Sequence, residues 1–133
     1  MNKLRRDDIL FPELSYEILG YAFEVFNQLG PGHAEKTYHN GMKVLLKNKQ
    51  INFRDQVHFP VKFQDKIIGK SVFDFLVEGK IIVEIKKDVH YSKAHLEQVL
   101  NYLKVSNLKL GILINFTNNG VTSKRIINTS QEK

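Results

Sequence analysis

Two short apolar runs in this chain each carry a single carboxylate. Asp74 is the only polar residue of the run VFDFLV at 72–77, and Glu84 is the only one of IIVEI at 81–85, with Lys86 one step further on. Side chains alternate along a strand, so Glu84 and Lys86 share one face while Ile81, Val83 and Ile85 take the other. If residues 78–80 form a three-residue turn, Val77 pairs with Ile81 and Asp74 lies opposite Glu84. A two-residue turn would slip the register by one and part the carboxylates, unless a bulge restored them.

Carboxylates opposed on apolar strands repel each other and lose solvation, and a bound divalent cation relieves both costs. Oxygen ligands favour Mg²⁺ or Mn²⁺ over zinc. Lys86 could orient or deprotonate an attacking water, or stabilise developing negative charge. These are the parts required for metal-assisted hydrolysis of a phosphodiester.

The elements that must position these groups are readable from periodicity. Leu14, Ile18, Tyr21, Ala22, Val25 and Leu29 fall at helical spacing over 13–29, and Gly30-Pro31-Gly32 stops that helix. A second helix is expected from about His33 to Asn48, with Tyr38, Met42, Leu45 and Lys49 along one side and Glu35 in its first turn. Strands begin at Phe53, where Val57, Phe59, Val61 and Phe63 alternate with more polar neighbours and Pro60 hints at an edge or a bulge. A turn at Gln64-Asp65-Lys66 leads to Ile67-Ile68 and then to the two carboxylate strands. A third helix runs from a Ser92 cap to about Val105. It sets Leu96, Val99, Leu100 and Leu103 on one face, and His95, Gln98 and Tyr102 beside it. A short apolar strand at 108–115 follows, then a polar tail with Lys124-Arg125. The order of helix, helix, three strands, helix and strand predicts an α/β fold, a mixed sheet flanked by helices.

Bulk properties bound the partners. The 133 residues suit one domain with a core of its own, and no repeat or linker divides them. The chain has no cysteine, which excludes disulfides and cysteine zinc sites and is compatible with the cytoplasm. No apolar run is long enough for a membrane helix, and the first residues, MNKLRRDDIL, do not resemble a secretory signal. A net charge of +6 favours a polyanionic partner such as nucleic acid.

Taken together, Asp74, Glu84-Ile85-Lys86 and Gln98-Val99-Leu100-Asn101-Tyr102 resemble the D…ExK…QxxxY signature of PD-(D/E)XK nucleases, the RecB-like branch in particular. Upstream, Gly32-His33-Ala34-Glu35-Lys36-Thr37-Tyr38 is similar to the pattern that names the GxxExxY proteins of that superfamily, as are the Leu29–Gly32 lead-in and the strand at 111–116. ExK alone is a weak motif; four elements in order over residues 14–127 are strong. The resemblance implies a restriction-endonuclease-like fold with a core of helix, three strands, helix and strand. It implies Asp74, Glu84 and the Ile85 carbonyl as metal ligands, with Lys86 as the catalytic lysine. Glu35 would complete the metal site or hold its water, and Gln98 and Tyr102 would position the site or the phosphate backbone. Phe73 stands where the superfamily name has proline.

Plainer readings exist for each residue. Asp74 could border a turn, Glu84 and Lys86 could line an exposed edge, and Glu35 could serve only the helix dipole. Gln98 and Tyr102 could be boundary residues of an amphipathic helix, and Tyr38 reads as core packing. The histidines lack metal-ligand spacing: His95 is a candidate for supporting the site, while His33, His39, His58 and His90 read as surface. Lys87, beside Lys86, suits a phosphate-binding surface but also plain solvated charge. The leading expectation is a magnesium-dependent nuclease acting on nucleic acid, DNA before RNA. The alternatives are a catalytically silent nucleic-acid-binding module and an assembly subunit of a larger complex; a homodimer would present two sites to a duplex.

Overall fold

A computed structural model describes residues 11–88 and 90–129; the reading of the first ten residues lies outside these. Helices α1 (Pro12–Leu29) and α2 (Glu35–Asn48) precede strands β1 (Phe53–Phe63), β2 (Lys66–Val77) and β3 (Ile81–Lys87). Helix α3 (Lys93–Ser106) then leads to β4 (Leu110–Thr117) and β5 (Gly120–Ile127). The five strands lie in sequence order, β1-β2-β3-β4-β5, antiparallel except for the parallel β3–β4 pair that α3 bridges. The expected α/β architecture, a mixed sheet with helices against it, is therefore the observed one.

The helices start and stop where local chemistry dictates. Gly30 ends α1 with a positive φ of 80°, and its N–H donates to the Phe26 carbonyl. Ala34 is still extended, so α2 begins at Glu35, two residues later than periodicity suggested. Ser92 caps α3 by accepting the His95 N–H, as its residue type predicted. Along α1 the stripe is buried from Ile18 to Val25, while Leu29 is exposed at its end. On α2 the buried apolar face is Tyr38, Met42 and Leu46; Lys49 falls beyond the helix and faces solvent.

Two apolar clusters sit on opposite faces of the sheet. One joins α1 and α2 to Phe75, Val77, Ile81, Val83 and Ile85. The other joins α3 to Val57, Phe73, Ile82 and Leu113. β4 contributes to both, as a buried parallel strand should. Gly111 allows α3 to lie close, because a Cβ there would come within 2.8 Å of Val99 Cγ1.

Two expectations need correction. The tail from Gly120 is a strand, β5, paired on one side only among the described residues; its polar look comes from exposed residues 122–124, while Ile126 is buried on β4. Its sequence cue was Asn119-Gly120, a hairpin dipeptide. The β1 alternation does not stay buried either: Val57 is covered and Phe59 partly so, but Val61 and Phe63 are exposed. β1 is an edge strand with a register shift between Val61 and Lys62, as Pro60 hinted.

Candidate active site

The hairpin at Gly79 fixes the register. Glu78 and Gly79 both take positive φ, the Lys80 N–H donates to the Val77 carbonyl at 2.9 Å, and Val77 pairs with Ile81. This is the pairing on which the opposition of the two carboxylates depends. β2 and β3 remain paired through Phe75–Val83 and then part. In the gap that opens, side chains take over from the main-chain ladder. The Asp74 N–H donates to Glu84 Oε1 at 3.2 Å, and the Ile85 N–H donates to Asp74 Oδ2 at 2.8 Å. Lys86 Nζ lies 3.5 Å from Glu84 Oε2.

A second irregularity lies on the other side of Asp74. Between the Asp55–Phe75 and Val57–Phe73 pairs, Gln56 adopts a left-handed φ of 57°. Phe75 and Phe73 are two residues apart and should share a face, yet Phe75 packs against α2 and Phe73 against α3. Phe53 and Val57 divide in the same way on β1. The β1–β2 ribbon thus changes the side it presents at Gln56 and Asp74, which turns the Asp74 carboxylate toward α2.

Helix α2 supplies the opposite wall. Glu35, His39 and Lys43 recur at i, i+4 and i+8 and line one open cleft of about 590 Å³ with Asp55, Gln56 and Asp74. Glu35 Oε2 accepts the Lys87 N–H at 3.2 Å, fastening the start of α2 to the end of β3. His39 is buried, not on the surface as its spacing had suggested. Its ring stacks on Phe75 with centroids 4.3 Å apart, and Nδ1 lies 2.6 Å from Asp74 Oδ1. Lys43 Nζ binds Asp55 Oδ2 at 2.9 Å and, with a smaller contribution from His39, holds the Asp55 carboxyl below the usual range.

The turn before α2 explains a glycine and a tyrosine of the upstream pattern. Gly32 has a φ of 91°, which an L side chain rarely adopts. The Tyr38 hydroxyl donates to the Gly30 carbonyl at 2.7 Å, and its ring stacks on Phe116 at 4.2 Å. Tyr38 is therefore packed in the core, while Glu35 one turn earlier faces the cleft.

The residues of α3 have other surroundings. Gln98 Nε2 donates to Ser71 Oγ at 2.6 Å, and Tyr102 is buried against the rings of Phe59 and Phe73. Their polar and ring contacts are with β1 and β2 rather than with the carboxylates. The Nδ1 of His95 is buried with no hydrogen-bond partner. His39, Asn40, Lys43, Asp55 and Gln56 are cleft residues that sequence reasoning did not single out. The helical spacing Glu35–His39–Lys43 was a signal for the first of them.

The electrostatics of the gap are strained. Glu84 is pushed up to about 8, first by burial and then by the neighbouring Asp74 carboxylate and its hydrogen bond; Lys86 opposes this less strongly. No group of three or more His, Asp or Glu converges as a metal cage among the described residues. Two carboxylates remain, and with them the Ile85 carbonyl. N–H and C=O of one strand residue point to the same side, so that carbonyl is turned toward the gap its N–H enters. Such a sparse, all-oxygen set fits a hard divalent cation that keeps several waters.

The PD-(D/E)XK nuclease superfamily model matches residues 12–127. Among solved structures, the chain is similar to the crystal structure of SSO0001, at a TM-score of 0.53 and 19% identity. That likeness takes in 95% of this chain but 61% of the other, and it concerns the fold. No curated protein matches the chain.

Proposed function

The chain belongs to the PD-(D/E)XK nuclease superfamily, and from that premise we propose that it is a divalent-metal-dependent nuclease whose substrate is DNA. Within the superfamily we assign it to the RecB-like branch and the GxxExxY proteins, and we treat residues 1–133 as one nuclease domain acting in the cytoplasm. No helix among the described residues is long and apolar enough to cross a membrane. The observation that carries the proposal is the gap between β2 and β3. There Glu84 accepts the Asp74 main-chain N–H and Asp74 accepts that of Ile85, with Lys86 Nζ 3.5 Å from Glu84.

In this reading Asp74, Glu84 and the Ile85 carbonyl hold Mg²⁺ or Mn²⁺. The ion supplies a polarised phosphoryl oxygen and an acidified water. Lys86, tied to Glu84, holds the attacking water or the charge that develops on the phosphate. Glu35, anchored on Lys87, borders the same cleft and orders water there. Gln98 holds β2 from the α3 side through Ser71, and Tyr102 fixes the rings of Phe59 and Phe73 beneath it. Lys87 and the +6 net charge favour a phosphate backbone as partner. A homodimer or a larger complex would supply the contacts that choose a cutting position.

The test is Mn²⁺ calorimetry on the wild type and Asp74→Ala, followed by cleavage of DNA and RNA substrates with and without metal. Metal binding and metal-dependent DNA cleavage, both lost in Asp74→Ala, are the expected result. Absence of metal binding even with DNA present would sink the reading and leave a nucleic-acid-binding module.

A further inference from the structure

His39 is the least expected member of the cleft. Helix α2 buries an apolar face of Tyr38, Met42 and Leu46, and among these sits one polar ring, almost fully covered. A buried polar group has to be matched by a partner, and this one is matched 35 residues away, on β2. The contact is directional. Nδ1 lies 2.6 Å from Asp74 Oδ1, short for a nitrogen–oxygen hydrogen bond. Nε2, on the far side of the ring, is 3.7 Å from Asp55 Oδ2, outside hydrogen-bond range. Stacking on Phe75, at 13° between the planes, fixes the plane in which the ring lies.

We propose that His39 is a positioning residue for Asp74. Its Nδ1–H engages Oδ1 while the Ile85 N–H engages Oδ2, so the carboxylate is held at both oxygens. Held in this way, Asp74 cannot rotate about its terminal bond, and the remaining lone pairs stay directed at the gap shared with Glu84. The inference rests on the nuclease reading, in that Asp74 is taken as a metal ligand. It extends that reading to a residue outside the D…ExK signature. Hydrogen-bonded support of this kind sets ligand direction, and its loss weakens metal affinity without removing a ligand.

A residue that merely ties α2 to the sheet would affect stability alone, and the choice of replacement separates the two roles. The side-chain amide nitrogen of His39→Asn falls where Nδ1 lies; that of His39→Gln falls nearer Nε2. His39→Phe keeps an aromatic ring to stack on Phe75 but has no donor. Mn²⁺ affinity by calorimetry and the melting temperature of the metal-free protein are measured for all four forms. His39→Asn is expected to bind within about threefold of wild type, and His39→Gln and His39→Phe roughly 10- to 100-fold more weakly. The melting temperatures need not follow that order. Equal weakening in all three variants, or no weakening in any while the wild type binds Mn²⁺, overturns the proposal and leaves the nuclease reading standing. A wild type that binds no Mn²⁺, even with DNA present, overturns both.

Discussion

The β1–β2 ribbon has two halves that share strands and register but not surroundings. The inner half, around Phe53, Phe75 and Val77, is covered by α1 and α2, and its side chains are fixed by stacking and edge contacts between rings. The outer half, beyond Phe59, leaves Phe63, Ile67 and Ile68 more than 60% exposed. Between them the ribbon changes the side it presents at Gln56 and Asp74 and passes under α3 through Val57 and Phe73. Backbone pairing alone therefore does not make a site. The carboxylate is held only where helices press on the sheet, and the same ribbon a few residues further out runs into solvent.

The largest expected contrast is in stability. Phe75→Ala should cost about 3–5 kcal/mol, since a fully buried ring leaves a cavity beneath His39. Phe63→Ala should stay within about 0.5 kcal/mol. Urea denaturation of both variants checks this, and similar losses would mean that the outer half is covered in solution.

A second effect follows from the raised Glu84 carboxyl. Its ordinary value is 4.5 and its folded value about 8, so the folded state binds the proton more tightly than the unfolded chain. This contribution is present in full below about pH 4.5 and is lost as pH rises through 8. In the metal-free protein Glu84→Gln should therefore melt higher than wild type at pH 8–9, with the difference shrinking toward pH 5. Saturating Mn²⁺ should reverse the order by stabilising the wild type alone. A difference that did not change with pH would refute the assignment of the strain to this carboxyl.

The smallest effect should come from cutting the outer ribbon back. Replacing residues 62–68 by Asn-Gly would close a two-residue turn on the Val61–Gly69 pair. The melting temperature should move by no more than a few degrees, and Mn²⁺ affinity should be unchanged. A loss of metal affinity would show that the two halves are coupled across Gln56.

How far the sequence carried depended on how local each cause was. The opposition of Asp74 and Glu84 was legible because the hairpin is short and each strand has one polar residue. The Ser92 cap and the Gly30 stop were legible for the same reason. His39 was not, because its partner lies on another element and only the fold decides which side of α2 faces the sheet. β5 was missed because an edge strand with one open side lacks the apolar run that marked β4. The outer β1 residues follow the pattern of a buried strand although α3 does not extend to cover them. The side-switch at Gln56 has no sequence cue at all, since glutamine at positive φ is not a turn residue by type.

The exposed margin of β1 also bears on self-association. An unpaired strand edge offers its N–H and C=O groups to any extended chain that approaches, and apolar side chains at its tip make such an encounter adhesive. Here Pro60 removes one donor from the row, and the register shift after Val61 bends the strand just where the exposed side chains begin. Lys62 and Lys66 add charge on the same stretch. A second copy could not continue the ladder past Pro60 without losing a bond and meeting like charge. The β1 edge, open to fibrous stacking of sheets, is thus interrupted within its own sequence.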